Sequence, residues 1–105
     1  MIFPKHWDEL TCIGHLQRKI ILLSIAYYEF DYSPMSDYDY DNLAHELVDR
    51  MRKCVNVKDS RYYYVFYDYD GSTGYHLYSR LTDADKELLM FIANTALKNI
   101  NSNKT

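Results

Sequence analysis

Arg61-Tyr62-Tyr63-Tyr64-Val65-Phe66-Tyr67-Asp68, continuing through Tyr69-Asp70-Gly71-Ser72-Thr73-Gly74 to Tyr75-His76-Leu77-Tyr78-Ser79, is the stretch on which the fold class turns. Its first part is almost wholly Tyr, Val and Phe, residues that favour extended backbone, and Asp70-Gly71-Ser72 has the chemistry of a turn. Read this way, residues 61–80 form a two-stranded antiparallel β-hairpin whose second strand returns over Tyr75 to Ser79. A ribbon of two strands is marginal alone and must pack on helices or extend another sheet. Its free edge is a candidate for pairing two copies into a homodimer.

Upstream of this ribbon the pattern is helical. Apolar residues at 13, 16, 20, 23 and 27 recur at helical spacing, and Ile21, Leu22, Ile25 and Ala26 widen the stripe until most of the helix is expected to be buried. Pro34 in Tyr32-Ser33-Pro34 breaks it near Phe30. Ser36 with Asp39 three residues later resembles a capping box, and Tyr40, Leu43, Ala44, Leu47, Met51 and Cys54 mark one face of a second helix. Downstream, Thr82 with Asp85 opens a third helix whose stripe is Leu88, Leu89, Ile92, Ala96 and Ile100. The expected fold is therefore α+β, in the order ααββα. One domain spans 1–105: a helical hairpin over 13–53, the β-hairpin over 61–80 and a C-terminal helix over 82–100.

The chain holds 12 Tyr against 4 Phe and 1 Trp, in 105 residues with a formal charge of −3. From Ile20 to Asp49 there is no Lys or Arg, whereas Glu29, Asp31, Asp37, Asp39, Asp41, Glu46 and Asp49 are all acidic. Such a segment repels anions and attracts cations, or else is a solvated face. The longest apolar run, Ile20 to Leu23, falls far short of the roughly 20 residues of a membrane span, so a cytoplasmic protein with no membrane contact is expected. Cys12 and Cys54 are too few for a disulfide framework and read as reduced, buried residues. His6, His15, His45 and His76 show no metal spacing. The aromatic ribbon carries acids in place of cations, so direct nucleic-acid binding through it is not expected.

The string Ala-Tyr-Tyr-Glu-Phe-Asp over 26–31, followed by Ser-Asp-Tyr-Asp-Tyr-Asp-Asn-Leu-Ala-His-Glu-Leu over 36–47, resembles the N-terminal helical subdomain of bacterial NAD-dependent DNA ligases. The match falls without a gap on Tyr27, Tyr28, Asp31, Ser36, Asp37, Tyr40, Asp41, Leu43, Glu46 and Leu47; Pro34 is displaced by one position, and Asp39 replaces a glutamate. The resemblance implies a hairpin that clamps nicotinamide mononucleotide. Tyr27 and Tyr40 would flank the ring, Asp37 and Asp41 would hold amide or ribose hydroxyls, and Tyr28 would line the mouth. A planar pyridinium cation suits aromatic faces and carboxylates. The alternative is that both tyrosines pack the hairpin while the acids cap and solubilise it.

The ligase adenylation domain, with the nucleophilic lysine of its Lys-x-Asp-Gly motif, is missing from these residues. The nearest tetrapeptide, Asp68-Tyr69-Asp70-Gly71, has aspartate at the lysine position, so adenylate transfer is not expected and the chain reads as a non-enzyme. The leading functional expectation is an interaction protein resembling the small ligase-like proteins of phages. It would inhibit or regulate a host nucleic-acid-handling or defence enzyme in the host cytoplasm. Its surface would comprise Asp31, Tyr32, Tyr38, Asp39, Asp68, Tyr69 and Asp70, with tyrosines as interface anchors and acids facing a basic partner. The alternative is a module that binds nicotinamide mononucleotide or NAD, with neither required as a cofactor.

Overall fold

A computed structural model describes residues 2–72 and 74–103. They form α1 (Glu9–Phe30), α2 (Asp37–Lys53), a single turn α3 (Tyr63–Phe66) and α4 (Asp83–Asn103), with 3₁₀ turns at Val57–Asp59 and Tyr78–Arg80. Asp8 starts α1 by accepting the Thr11 N–H at 2.8 Å, satisfying one of the free amides of the first turn. Ile13, Leu16, Ile20, Ile21 and Ile25 are then wholly buried, with Cys12, Gln17, Ser24 and Ala26 beside them. This spread exceeds a single helical stripe, and α2, α4 and the turn at Tyr78–Arg80 all pack on α1. The core is the meeting of Ile13, Leu16, Ile20, Ile21 and Ile25 with Ala44 and Leu47 of α2, Val65 and Phe66 of α3, and Leu89 and Ala93 of α4.

The helix ends follow from local chemistry. At Asp31 the backbone turns left-handed, with φ 51°, and the N–H groups of Asp31 and Tyr32 both reach the Ala26 carbonyl. Ser36 caps α2 by accepting the Asp39 N–H at 3.1 Å, and Arg50, Arg52 and Lys53 sit at the negative pole of the helix. Arg50 also joins Glu46 on its own helix and Glu9 on α1, each pair about 3 Å apart. Thr82 accepts the Asp85 N–H at 3.2 Å at the start of α4, which runs to Asn103, beyond the expected limit at 100.

The expected β-hairpin over 61–80 is overturned, and with it the α+β class: no described residue lies in a strand. Tyr62, Val65 and Phe66 are buried and Tyr69 half-buried, a spacing of i, i+3, i+4, i+7, while Tyr64, Tyr67 and Asp68 stay exposed. That is helical periodicity, and it outweighs the extended preference of Tyr and Val because β propensity is mainly a preference for a sheet surface to pack on. Backbone bonds in the segment are local, such as Val65 N–H to the Tyr62 carbonyl at 2.9 Å and Leu77 N–H to the Gly74 carbonyl at 3.2 Å. The homodimer expected through a hairpin edge loses its edge as well. Arg80 closes the segment by binding both carboxylate oxygens of Asp68, at 2.6 and 3.1 Å, and the Val65 carbonyl at 3.0 Å.

Gln17 and Asp85, both buried, are paired with this region. Gln17, fully buried on α1, donates to Ser60 Oγ at 3.1 Å and accepts the Tyr62 N–H at 3.0 Å. Asp85 accepts two N–H groups of the Arg61 guanidinium and the hydroxyl of Tyr64, which hold its carboxyl below the usual carboxylate range. Cys12 is buried and Cys54 half-buried; both are free thiols. No described helix is long and apolar enough to cross a membrane.

Candidate functional site

At its C-terminal end α1 presents Leu23, Ser24, Tyr27 and Tyr28 on one side, because positions i, i+3 and i+4 share a helix face. The left-handed turn at Asp31 and the Ser33-Pro34-Met35 loop bring the chain back across this face, so that Asp37 and Tyr40 in the first turn of α2 stand opposite. Between them lies a cavity of about 190 Å³, with Gly74 as its remaining wall. Four of the five residues expected from the ligase resemblance line it: Tyr27, Tyr28, Asp37 and Tyr40. Asp41 is exposed and does not.

The wall residues are ordered by aromatic and polar contacts. Tyr27 and Tyr28 meet edge to face with centroids 4.8 Å apart, and Tyr28 meets Tyr75 in the same way at 5.4 Å. Ser24 donates its hydroxyl proton to the Ile20 carbonyl at 3.0 Å. Gly74 fits because it has no side chain: a methyl group there would collide with Ser24 Oγ and stand 2.8 Å from the Tyr40 hydroxyl. Behind Tyr40 lies Tyr69, whose hydroxyl is buried without a hydrogen-bond partner of good geometry. Burial, with the neighbouring Tyr40 adding to it, pushes the Tyr69 hydroxyl pKa up. The combination is a partly open aromatic slot with one carboxylate on its lining, suited to a flat cationic ring.

The residues expected to form a separate interaction surface divide. Asp31 and Asp39 are exposed, Tyr38 is 75% exposed, and Tyr32 is half-buried. Asp68 is exposed but held by Arg80, which lowers its carboxyl pKa; Asp70 accepts the Ser72 N–H at 2.9 Å; Tyr69 packs inward against Phe66. Six further wall residues, Leu23, Ser24, Ser33, Pro34, Met35 and Gly74, are not among the expected site residues. Ser24 carries a usable signal, a polar break in an apolar run placed three and four positions before Tyr27 and Tyr28. Gly74 carries none, since its contact with Ser24 and Tyr40 joins distant parts of the chain. Of the loop Gly71-Ser72-Thr73-Gly74, Thr73 lies outside the described residues.

Among the described residues, no group of three or more His, Cys, Asp or Glu side chains is placed to hold a metal ion. Comparison with protein-family models, curated proteins and solved structures returns no match.

Proposed function

We propose that this chain is a small-molecule-binding module whose cavity between α1 and α2 takes the nicotinamide ring of NAD or nicotinamide mononucleotide. One observation carries the reading. Tyr27, Tyr28, Asp37 and Tyr40, singled out from a sequence resemblance to the nicotinamide-binding subdomain of DNA ligases, line a single cavity. Its size is in keeping with this, since an apolar cavity of about 150 Å³ admits benzene and this one, at about 190 Å³, leaves room for a carboxamide. The pyridinium charge meets aromatic faces and the Asp37 carboxylate.

The test is titration with 1-methylnicotinamide, which carries the recognised ring and charge alone, followed by calorimetry and by tyrosine emission. Saturable quenching is expected, and Asp37→Ala should weaken it about tenfold with the helical circular dichroism unchanged, the loss of a charge-assisted contact. Absence of heat and quenching at millimolar probe would remove the reading.

A second reading is favoured by the exposure of Tyr38, together with the exposed carboxylates of Asp31 and Asp39. We propose there a docking face for a basic protein partner, such as the nucleic-acid-handling or defence enzyme that a phage inhibitor would target. A Tyr38→Ala, Asp39→Ala variant should then lose co-purification of a partner while retaining 1-methylnicotinamide binding; equal recovery by the variant would sink it.

A further inference from the structure

A groove between α1 and α4 adjoins the aromatic cavity at Leu23 and Pro34, which line both. His15, Lys19, Leu22 and Ala26 of α1 follow the spacing i, i+4, i+7, i+11 and so share one face, and Arg18 lies beside them. Opposite stand Ile92, Ala96 and Leu97 of α4. The groove has a volume of about 340 Å³, within the range of small-ligand clefts, and most of its wall is aliphatic.

Its charge is confined to one end and is of one sign. In a chain of formal charge −3, the groove carries Arg18 and Lys19 on its lining and no Asp or Glu. No acid lies three or four positions from either cation on α1, and no ion pair among the described residues uses them. Arg18 also borders the hollow that holds Asp59 and Arg61, without pairing with Asp59. From Arg18 to Ala26 the helix rises by about 12 Å. An extended hydrocarbon chain, with C–C bonds of about 1.5 Å at tetrahedral angles, covers that length in about ten carbons. A helix of a partner protein needs more room, since a specific interface buries about 800 Å² on each side and this groove is about two helical turns long.

We propose that this groove binds a single-chain anionic amphiphile, a fatty carboxylate of about ten carbons, with its head at Arg18 and Lys19 and its tail between α1 and α4. The Asp37 carboxylate lines the adjoining cavity, so it repels a head placed at the Leu23 and Pro34 end and favours the same orientation. This second site is independent of the nicotinamide reading of the cavity.

The experiment is calorimetric titration of the full chain with octanoate, decanoate, 1-decanol and decyltrimethylammonium, all below micelle formation. Decanoate should bind saturably and about tenfold tighter than octanoate, since each CH₂ taken out of water contributes about three- to fourfold. The uncharged 1-decanol should bind the parent chain about tenfold more weakly than decanoate does. Decanoate should lose about as much in an Arg18→Met, Lys19→Met variant, which keeps the aliphatic stems and removes the charges. Ala96→Trp fills the groove and should abolish binding with the helical circular dichroism unchanged, whereas Asp37→Ala should not weaken it. Octanoate as tight as decanoate overturns the tail assignment, and decyltrimethylammonium as tight as decanoate overturns the head assignment. Binding retained in Ala96→Trp, or lost in Asp37→Ala, places the ligand outside the groove and overturns the proposal. A dimer by light scattering that Ala96→Trp converts to monomer means that a second copy fills the groove, and equally overturns it. Absence of saturable heat with decanoate at millimolar concentration removes the proposal and leaves the nicotinamide reading of the cavity standing.

Discussion

Asp31 is the one described non-glycine residue with left-handed backbone, and it sits where α1 must stop so that the chain can recross its own face. Aspartate tolerates this conformation better than a branched residue does. Asp31→Val should therefore lower the free energy of urea unfolding by about 1–2 kcal/mol, while Asp31→Gly should change it by less than about 0.5 kcal/mol. Asp85 makes a different local demand. Its carboxyl pKa is held down by Arg61 first and Tyr64 second, so its contribution to stability is present above the unfolded value near 3.9 and is lost as pH falls through the lower folded value. Asp85→Asn should cost about 1–3 kcal/mol at neutral pH. The difference from the parent chain should close as chemical unfolding is repeated at successively lower pH below about 4; a constant difference across that range would contradict the assignment.

At the scale of elements, the tie between α1 and the Ser60-Tyr62 segment is the most exacting contact, because Gln17 satisfies a backbone amide and a hydroxyl inside the core. Gln17→Leu leaves the Tyr62 N–H without its acceptor and should destabilise the chain by about 1–3 kcal/mol, read from the urea midpoint. An unchanged midpoint would mean that the amide finds water or another partner. Three helices were legible in the sequence for reasons that stay local: the stripe of α1, the Ser36 cap of α2 and the Thr82 cap of α4 each depend on residues within one or two turns. In the tyrosine segment residue type and residue spacing point to different structures. The Tyr, Val and Phe composition and the Asp70-Gly71-Ser72 turn chemistry pointed to strands, while the spacing of Tyr62, Val65, Phe66 and Tyr69 pointed to a helical turn, and the choice was made by what surrounds them: helices, with no sheet to join among the described residues. Tyr27, Tyr28, Asp37 and Tyr40 were singled out by the resemblance to the ligase subdomain and not by any local signal, and Gly74 was not foreseen as a wall, since only the folded chain brings it to Ser24 and Tyr40.

Across the whole molecule, α1 serves as an axis: the cavity occupies its C-terminal end, and its N-terminal end is covered by a small aromatic group of Phe3, Trp7 and His15. From His15 to Tyr27 the helix rises by about 18 Å, so the two ends sense different surroundings. Trp7, the single tryptophan of the chain, stands 5.5 Å from the His15 ring between centroids. Burial, followed by Arg18 and Lys19, pushes the His15 imidazole below its usual value near 6.5, so it gains its proton only under mildly acidic conditions. Because an imidazolium quenches excited indole, emission excited selectively at the tryptophan should fall with a midpoint below about 6.5 and should lose that step in His15→Phe. A step retained in that variant would place the quencher elsewhere. On the function proposed above, the chain would possess two built-in optical reporters: phenolic light registering occupancy at one end of the axis, and selectively excited indole light registering protonation at the other.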